Sequence, residues 1–273
     1  MAKKRLDVLL VDKGFAESRE KARALIMSGN VYTDNYLLDK PGTRVPEDIS
    51  VYLKETLPFV SRGGLKLDKA KNVFRIDFNG KTVLDIGAST GGFTDVALQN
   101  GAQKVVAVDV GKNQLHYSLT KDPKVVNLQK VNFRHIEFEV IGEKCDIIVC
   151  DVSFISLNMI IPKVILFCNE NTEAVFLIKP QFEAEKNEVG KNGVVRDSGV
   201  HERVILKIIN AAEEFGLQFT GLSKSPIKGP KGNVEYLSYF MYGENINKTE
   251  NISKIIERVV NDEEYSYCCK TSC

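Results

Sequence analysis

No apolar run in this sequence approaches the roughly 18 residues needed to cross a bilayer as a helix. Even Met159-Ile160-Ile161-Pro162-Lys163-Val164-Ile165-Leu166-Phe167 is broken by a proline and a lysine. The basic start Met1-Ala2-Lys3-Lys4-Arg5 has no apolar signal-peptide core behind it. A soluble, cytoplasmic protein with no membrane partner is therefore expected. Net charge is also lacking: 37 Lys and Arg oppose 36 Asp and Glu, a balance of +1. Whole-molecule charge thus says nothing about nucleic acid, and any such surface must come from local segregation. Histidine is scarce, three in 273 residues, and none lies near Cys268, Cys269 and Cys273. Zinc spacing is therefore missing and no metal is expected. Cys145, Cys150 and Cys168 lie within apolar stretches and read as small buried thiols. The sequons at Asn247 and Asn251 mean little without a secretion signal.

What is present is enough apolar material, 43% of the chain, for one large core and one small one. Over residues 5–13, Leu6, Leu9 and Leu10 share a helical face, and Gly14 follows as a stop. Ser18 can cap a second helix with Ala22, Leu25 and Ile26 inward, closed by Gly29-Asn30. Val31-Tyr32 and Val51-Tyr52-Leu53 read as short strands around a turn-rich stretch. Residues 1–60 thus form a small α+β unit. Its first 23 residues hold seven Lys and Arg against four Asp and Glu. Lys3, Lys4, Arg5, Arg19 and Arg23 are candidate RNA contacts, although a solvated helix face would have the same composition.

From Thr82 the pattern becomes α/β. Strands are expected at Thr82–Ile86, Lys104–Val108, Val126–Val131, Asp146–Asp151 and Ala174–Lys179. Helices are expected around 92–100, 113–119, 156–168 and 201–215. This alternation predicts a mostly parallel sheet covered on both faces. Gln218–Ser223 and Glu235–Met241 could pair as an antiparallel edge. The main domain is placed at 61–245. Residues 246–273 read as a polar tail with a helix carrying Ile252, Ile255, Ile256 and Val259.

The most informative segment is Asp85-Ile86-Gly87-Ala88-Ser89-Thr90-Gly91-Gly92-Phe93-Thr94-Asp95. A strand enters a glycine-rich turn that opens a helix, so backbone can approach a ligand and free N–H groups face it. The spacing is Asp-x-Gly-x-x-x-Gly-Gly, unlike the dinucleotide pattern G-x-G-x-x-G. A carboxylate at that strand end repels a pyrophosphate but suits the ammonium of a methionine moiety. Asp109 ends the next strand, where an acid can hold ribose hydroxyls. Together these features favour S-adenosylmethionine over NAD.

Asp151 and Lys179 end the fourth and fifth strands, whose carboxyl ends face the crevice of an open parallel sheet. A lysine closing an apolar strand needs a partner, and Asp151 is available. Lys66, in Ser61-Arg62-Gly63-Gly64-Leu65-Lys66, and Glu235, in Gly232-Asn233-Val234-Glu235-Tyr236, complete two Lys–carboxylate pairs. On these phrases, together with Ile178-Lys179-Pro180-Gln181-Phe182-Glu183, the chain resembles the TlyA (hemolysin A) family of ribosomal RNA 2′-O-methyltransferases across residues 3–242.

The resemblance implies a Rossmann-like class I methyltransferase, FtsJ-like, behind an RNA-binding module of ribosomal-protein type. It implies a catalytic tetrad of Lys66, Asp151, Lys179 and Glu235. It further implies cofactor binding by Asp85, Gly87, Ser89, Gly91, Gly92, Phe93 and Asp109, with Asn132 and Phe133 flanking the adenine. Ribosomal RNA or a ribosomal subunit is the implied partner, with cytidine as the target. Arg62, Lys228 and Lys231 are candidate RNA contacts near the site. Lys179 is the candidate base, because a ribose hydroxyl is a poor nucleophile until its proton is taken.

Three rivals remain open. A pseudouridine synthase shares the first module, and Arg5-Leu6-Asp7 mimics its catalytic tripeptide. A haemolysin would need a membrane-active stretch. A non-catalytic RNA-binding assembly factor could carry the same surface without using the tetrad.

Overall fold

The computed structural model describes residues 3–33, 37–49, 51–53, 58–243, 249 and 251–269. Two compact units divide at Pro58 and Phe59.

In the first unit, strand β1 (Lys3–Arg5) leads into helix α1 (Leu6–Asp12), followed by helix α2 (Arg19–Met27). Strands β2 (Val31–Tyr32), β3 (Arg44–Pro46) and β4 (Tyr52–Leu53) complete it. Leu6, Leu9, Leu10, Ala22, Ile26, Val31, Leu38, Val45 and Val51 form its core. The helical stripes read from the sequence therefore face inward, except that Leu25 is only half-buried. Ser18 caps α2 by accepting from Lys21 N at 3.2 Å. Strands β1 and β3 were not anticipated and pair antiparallel. They are short and largely charged, so no alternation marks them. The α1 start has no side-chain cap; Leu6 N and Asp7 N donate instead to Thr43 O and Pro41 O.

In the second unit, helix α3 (Gly64–Phe74) comes first. Strand β5 (Thr82–Ile86), helix α4 (Gly92–Gln99), strand β6 (Lys104–Asp109), helix α5 (Tyr117–Thr120) and strand β7 (Val125–Gln129) follow. Next come strand β8 (Cys145–Cys150), helix α6 (Ile161–Val164), strand β9 (Cys168–Ile178), helix α7 (Pro180–Glu183) and helix α8 (Ser198–Glu214). Strand β10 (Leu217–Lys224), strand β11 (Tyr236–Tyr242), helix α9 (Ile252–Asn261) and strand β12 (Ser266–Cys268) close the unit.

The sheet order is β12-β10-β11-β9-β8-β5-β6-β7. Strands β7, β6, β5, β8 and β9 run parallel, giving the expected mostly parallel α/β sheet. Strands β10 and β11 pair antiparallel as expected, but they are not the edge. Strand β11 also pairs with β9, from Tyr236↔Ile178 to Met241↔Glu173, and so lies inside the sheet. The edge beyond β10 is β12.

Other differences have local causes. The single helix expected over 156–168 is two short 3-10 turns around α6, which begins next to Pro162. Strand β9 already begins at Cys168. Helix α3 was missed because its stripe is short: Leu67, Ala70 and Phe74 face inward among polar neighbours. The stretch read as a polar tail carries α9, whose Ile255, Ile256, Val259 and Val260 are buried, and β12, which pairs with β10. Cys145, Cys150 and Cys168 are buried, and burial pushes the Cys145 and Cys168 thiols up to about 12. Cys268 is buried and Cys269 half-buried, while Cys273 lies outside the described residues. Among the described residues no helix is long and apolar enough to cross a membrane.

Candidate active site

Sheet register decides which side chains meet. Ile86 is paired with Cys150, Cys150 with Phe176, and Ile178 with Tyr236. The carboxyl ends of β5, β8 and β9 and the start of antiparallel β11 therefore share one margin of the sheet. Gly87, Asp151, Lys179 and Glu235 are the residues just beyond those four ends. Lys66 joins them from the first turn of α3. That turn is anchored from the segment before it, where Val60 N donates to Asp95 Oδ2 on α4 at 2.8 Å.

The four ionisable groups form a chain of alternating sign. Lys179 Nζ lies 2.5 Å from Asp151 Oδ1. Lys66 Nζ lies 3.2 Å from Asp151 Oδ2 and 2.7 Å from Glu235 Oε2. Both lysines and Glu235 are buried. Removing four charges from water is costly, and alternation is what makes it tolerable. Lys179 Nζ also donates to Ser153 Oγ at 2.8 Å. Lys66 is thus held by two carboxylates, whereas Lys179 is held by one carboxylate and a neutral hydroxyl. Of the two amines, Lys179 sits in less counter-charge.

Gly229 packs directly against Glu235: a Cβ at that position would overlap the carboxylate oxygen Oε1. The other carboxylate oxygen, Oε2, is the one that pairs with Lys66, so displacing the carboxylate disturbs that pair. The Gly229→Ala variant is expected to melt lower, because it disturbs a buried ion pair, and to lose at least about tenfold in turnover, since angström misplacements cost up to about 10²-fold. Melting temperature and turnover measured together check this; unchanged turnover would mean that Glu235 placement is not limiting.

Beside the tetrad lie two cavities of about 290 and 340 Å³ that share Gly87, Ser89, Asp151 and Ser153. The smaller holds all four tetrad residues and Asp85; the larger runs past Asp109, Asn132 and Phe133. Gly87 has φ 82°, and a Cβ there would come within 2.8 Å of Asp151 O. Gly91, with φ 95°, turns the chain into α4. A Cβ on Gly92 would come within 2.6 Å of Gly64 N, so glycine lets α3 and α4 start side by side. Phe93 is buried beneath this turn.

Asp85 is buried, and its Oδ2 accepts from Thr94 Oγ1 at 2.6 Å. Among the described residues its Oδ1 has no hydrogen-bond partner. Burial pushes this carboxyl up to about 7; Asp151 and Asp109 reinforce the shift and Thr94 opposes it. A buried carboxylate with a vacant oxygen in a cavity suits a cationic donor such as an ammonium. Asp109 accepts Ser89 N at 2.8 Å and Gly111 N at 2.7 Å, so its orientation is fixed by backbone. Asn132 Oδ1 accepts Arg134 N at 3.1 Å, and Phe133 is buried next to it.

The basic candidates have varied surroundings. Arg62, Lys228 and Lys231 are exposed, the last two in the loop that leads to Glu235. In the first unit Lys3 and Arg23 are exposed and Lys4 pairs with Asp12 at 2.7 Å. Arg5 donates through two nitrogens to Asp7, both at 3.0 Å, and Arg19 donates to the same carboxylate at 2.9 Å. Those guanidiniums hold the buried Asp7 carboxyl well below its usual range. Asp7 is fully buried and commits both oxygens to them, so Arg5-Leu6-Asp7 forms an internal ion-paired cluster of this unit. Thr94, Asp95 and Ser153 brace the site through Asp85, Val60 and Lys179, and the sequence assigned a role to none of them. Thr94 and Asp95 stand within the glycine-turn segment, and Ser153 lies two residues past a strand-ending aspartate.

A model of FtsJ-like methyltransferases matches residues 59–242, and a model of S4 domains matches residues 4–48. A Bacillus subtilis protein provisionally named rRNA methyltransferase YqxC is 44% identical over 263 residues, spanning 95% of this chain and 94% of that one. The Mycobacterium tuberculosis protein named 16S/23S rRNA (cytidine-2′-O)-methyltransferase TlyA is 43% identical over 234 residues, 85% of this chain and 87% of its own. A solved Streptococcus thermophilus structure, provisionally titled a hemolysin, is 41% identical with a TM-score of 0.74, covering 96% of each chain.

Proposed function

The chain belongs to the FtsJ-like methyltransferase family, in the TlyA group with an S4 domain ahead of the catalytic one, and we propose that it methylates a ribose 2′-hydroxyl of ribosomal RNA at cytidine, using S-adenosylmethionine. The observation that carries this reading is the largely buried Lys179–Asp151–Lys66–Glu235 chain at the margin of a cavity that also holds an Asp85 carboxylate oxygen with no hydrogen-bond partner among the described residues.

Asp85 would hold the cofactor's ammonium, Asp109 its ribose, and Asn132 and Phe133 its adenine. Bound S-adenosylmethionine supplies a methyl group already activated on a sulfonium. What the protein must add is alignment and a base. Lys179 in its neutral form takes the proton of the attacking hydroxyl. Asp151, touching both lysines, keeps the amine aimed and stabilises the ammonium that forms. Lys66, paired with both Asp151 and Glu235, is placed to donate to the oxygen on which negative charge develops. A ribose hydroxyl as acceptor also explains how the enzyme tells RNA from DNA, since the reacting group is the one DNA lacks. The S4 domain, with its exposed Lys3, Arg23 and Asp7-bound arginines, would grip phosphate and fix register rather than select the base.

Transfer of labelled methyl from S-adenosylmethionine to ribosomal RNA or subunits lacking the modification tests the reading. Label on a cytidine 2′-oxygen is expected. RNA binding with no label on any ribosomal substrate would turn the chain into an assembly factor.

A further inference from the structure

Glu183 is a buried carboxylate that the mechanism above does not use. It ends α7, four residues after Lys179, and is 7% exposed. Its Oε2 accepts from Ser156 Oγ at 2.6 Å and its Oε1 from Leu157 N at 2.7 Å. Lys207 hydrogen-bonds the Glu183 carbonyl oxygen, not its carboxylate. A buried acid bonded only to neutral donors is an expensive way to tie a loop, because a neutral side chain could make a similar bond without the desolvation cost. Burial raises its pKa, against the two hydrogen bonds and the nearby Lys207 charge.

The tied loop is the exit of β8, which begins with Asp151. Its near end is pinned where Asp151 N donates to Ile86 O at 3.0 Å. Its far end is Ser156-Leu157, where Ser156 Oγ also caps the following turn through Asn158 N at 3.2 Å. Between them, Phe154 adopts a left-handed backbone with φ 64°, a costly conformation that needs external support. The short segment 179–183 supplies that support at three points. Lys179 bonds Ser153, the Phe182 ring lies beside the exposed Phe154 ring with centroids 5.0 Å apart, and Glu183 grips Ser156 and Leu157.

We infer that Glu183 is a positioning residue: by clamping Ser156-Leu157 it holds Ser153 and Asp151 in register with Lys179, and so sets the aim of the proposed base. The inference rests on the methyltransferase reading for its kinetic consequence, but its structural content stands apart from it. Both bonds are short, at 2.6 and 2.7 Å, which fixes the geometry of the loop they hold.

The test uses the full chain with Glu183→Gln, which keeps size and one acceptor, and Ser156→Ala, which removes one donor. Hydrogen exchange is read without substrate. In Glu183→Gln, peptides covering 152–158 should exchange at least about tenfold faster while α8 and the β5 and β6 peptides stay unchanged. Turnover at saturating substrates should fall about ten- to thirtyfold with the S-adenosylmethionine Kd within threefold, an orientation effect of ordinary size. Ser156→Ala should lose part of this, and the double variant should lose no more than Glu183→Gln alone, because both act through one contact. The fall in turnover at unchanged cofactor affinity is the readout that a general loss of stability would not produce. Unchanged exchange at 152–158 would overturn the inference whether or not the protein methylates RNA. Faster exchange with unaltered turnover in an active wild type would overturn it too. A wild type that transfers no methyl to RNA, with the loop still loosened in Glu183→Gln, would instead count against the enzymatic reading and leave the clamp itself supported.

Discussion

Lys179→Ala should lower methyl transfer by at least about 10³-fold, within the span that a positioned general base contributes, while S-adenosylmethionine binds within threefold of wild type. The fold should survive. Asp151 loses its 2.5 Å partner but keeps Lys66 at 3.2 Å, so no buried carboxylate is stranded. Ser153 Oγ loses one donor at a loop position that can recruit water. The sharper variant is Lys179→Arg. Arginine keeps the positive charge but does not deprotonate near neutral pH. If Lys179 acts as a base, arginine should be as inactive as alanine; if the site needs only a cation there, arginine should retain a sizeable fraction of the rate. Single-turnover transfer to ribosomal RNA, with calorimetric cofactor binding on the same preparations, separates the two. Near-normal turnover in either variant would remove Lys179 from the proton transfer.

Much of this site could be read from the sequence because its parts lie at strand ends. A β-rich run followed by Asp or Lys marks both an element boundary and a position facing the crevice, as with Asp151 after β8 and Lys179 after β9. The glycine turn was legible for the same reason: Gly87 and Gly91 take positive φ, which few other residues tolerate. What stayed hidden depends on register between distant strands. Nothing local distinguishes β11 as an interior strand, since its neighbour β9 lies more than fifty residues earlier. Strand β12 has three residues and only its pairing with β10 defines it. The Glu183 clamp was hidden although its phrase had been singled out, because the importance of that carboxylate lies in the loop it meets. Lys66 belonged to a helix that was not foreseen; its place was inferred from resemblance, and the structure puts it between two carboxylates.

Cofactor affinity should rise with pH up to about 7 and then level off, and Asp85 should be the cause. Its carboxyl is raised to about 7 from 3.8, first by burial and then by Asp151 and Asp109, with the Thr94 hydrogen bonds opposing. The raised value means that the folded protein favours the protonated acid. Its contribution to stability is complete below about pH 4 and is lost as pH climbs through 7. Binding a cationic ammonium reverses the preference, because the ionised carboxylate then gains a partner for Oδ1, which has none among the described residues. Below pH 7 the ligand must therefore expel a proton, and the S-adenosylmethionine Kd should worsen by up to about tenfold per pH unit. Asp85→Asn should flatten that dependence and weaken binding at pH 8 by about 100-fold, roughly the 2–3 kcal/mol of one charge-assisted contact. Because asparagine still accepts from Thr94 and carries no charge to bury, the variant should melt no lower than wild type at pH 8. Titration calorimetry in two buffers of different ionisation enthalpy counts the released proton directly. A wild-type Kd that stays flat from pH 5.5 to 8, with no proton released, would mean that the ammonium is held elsewhere and that Asp85 only secures the start of α4 through Thr94.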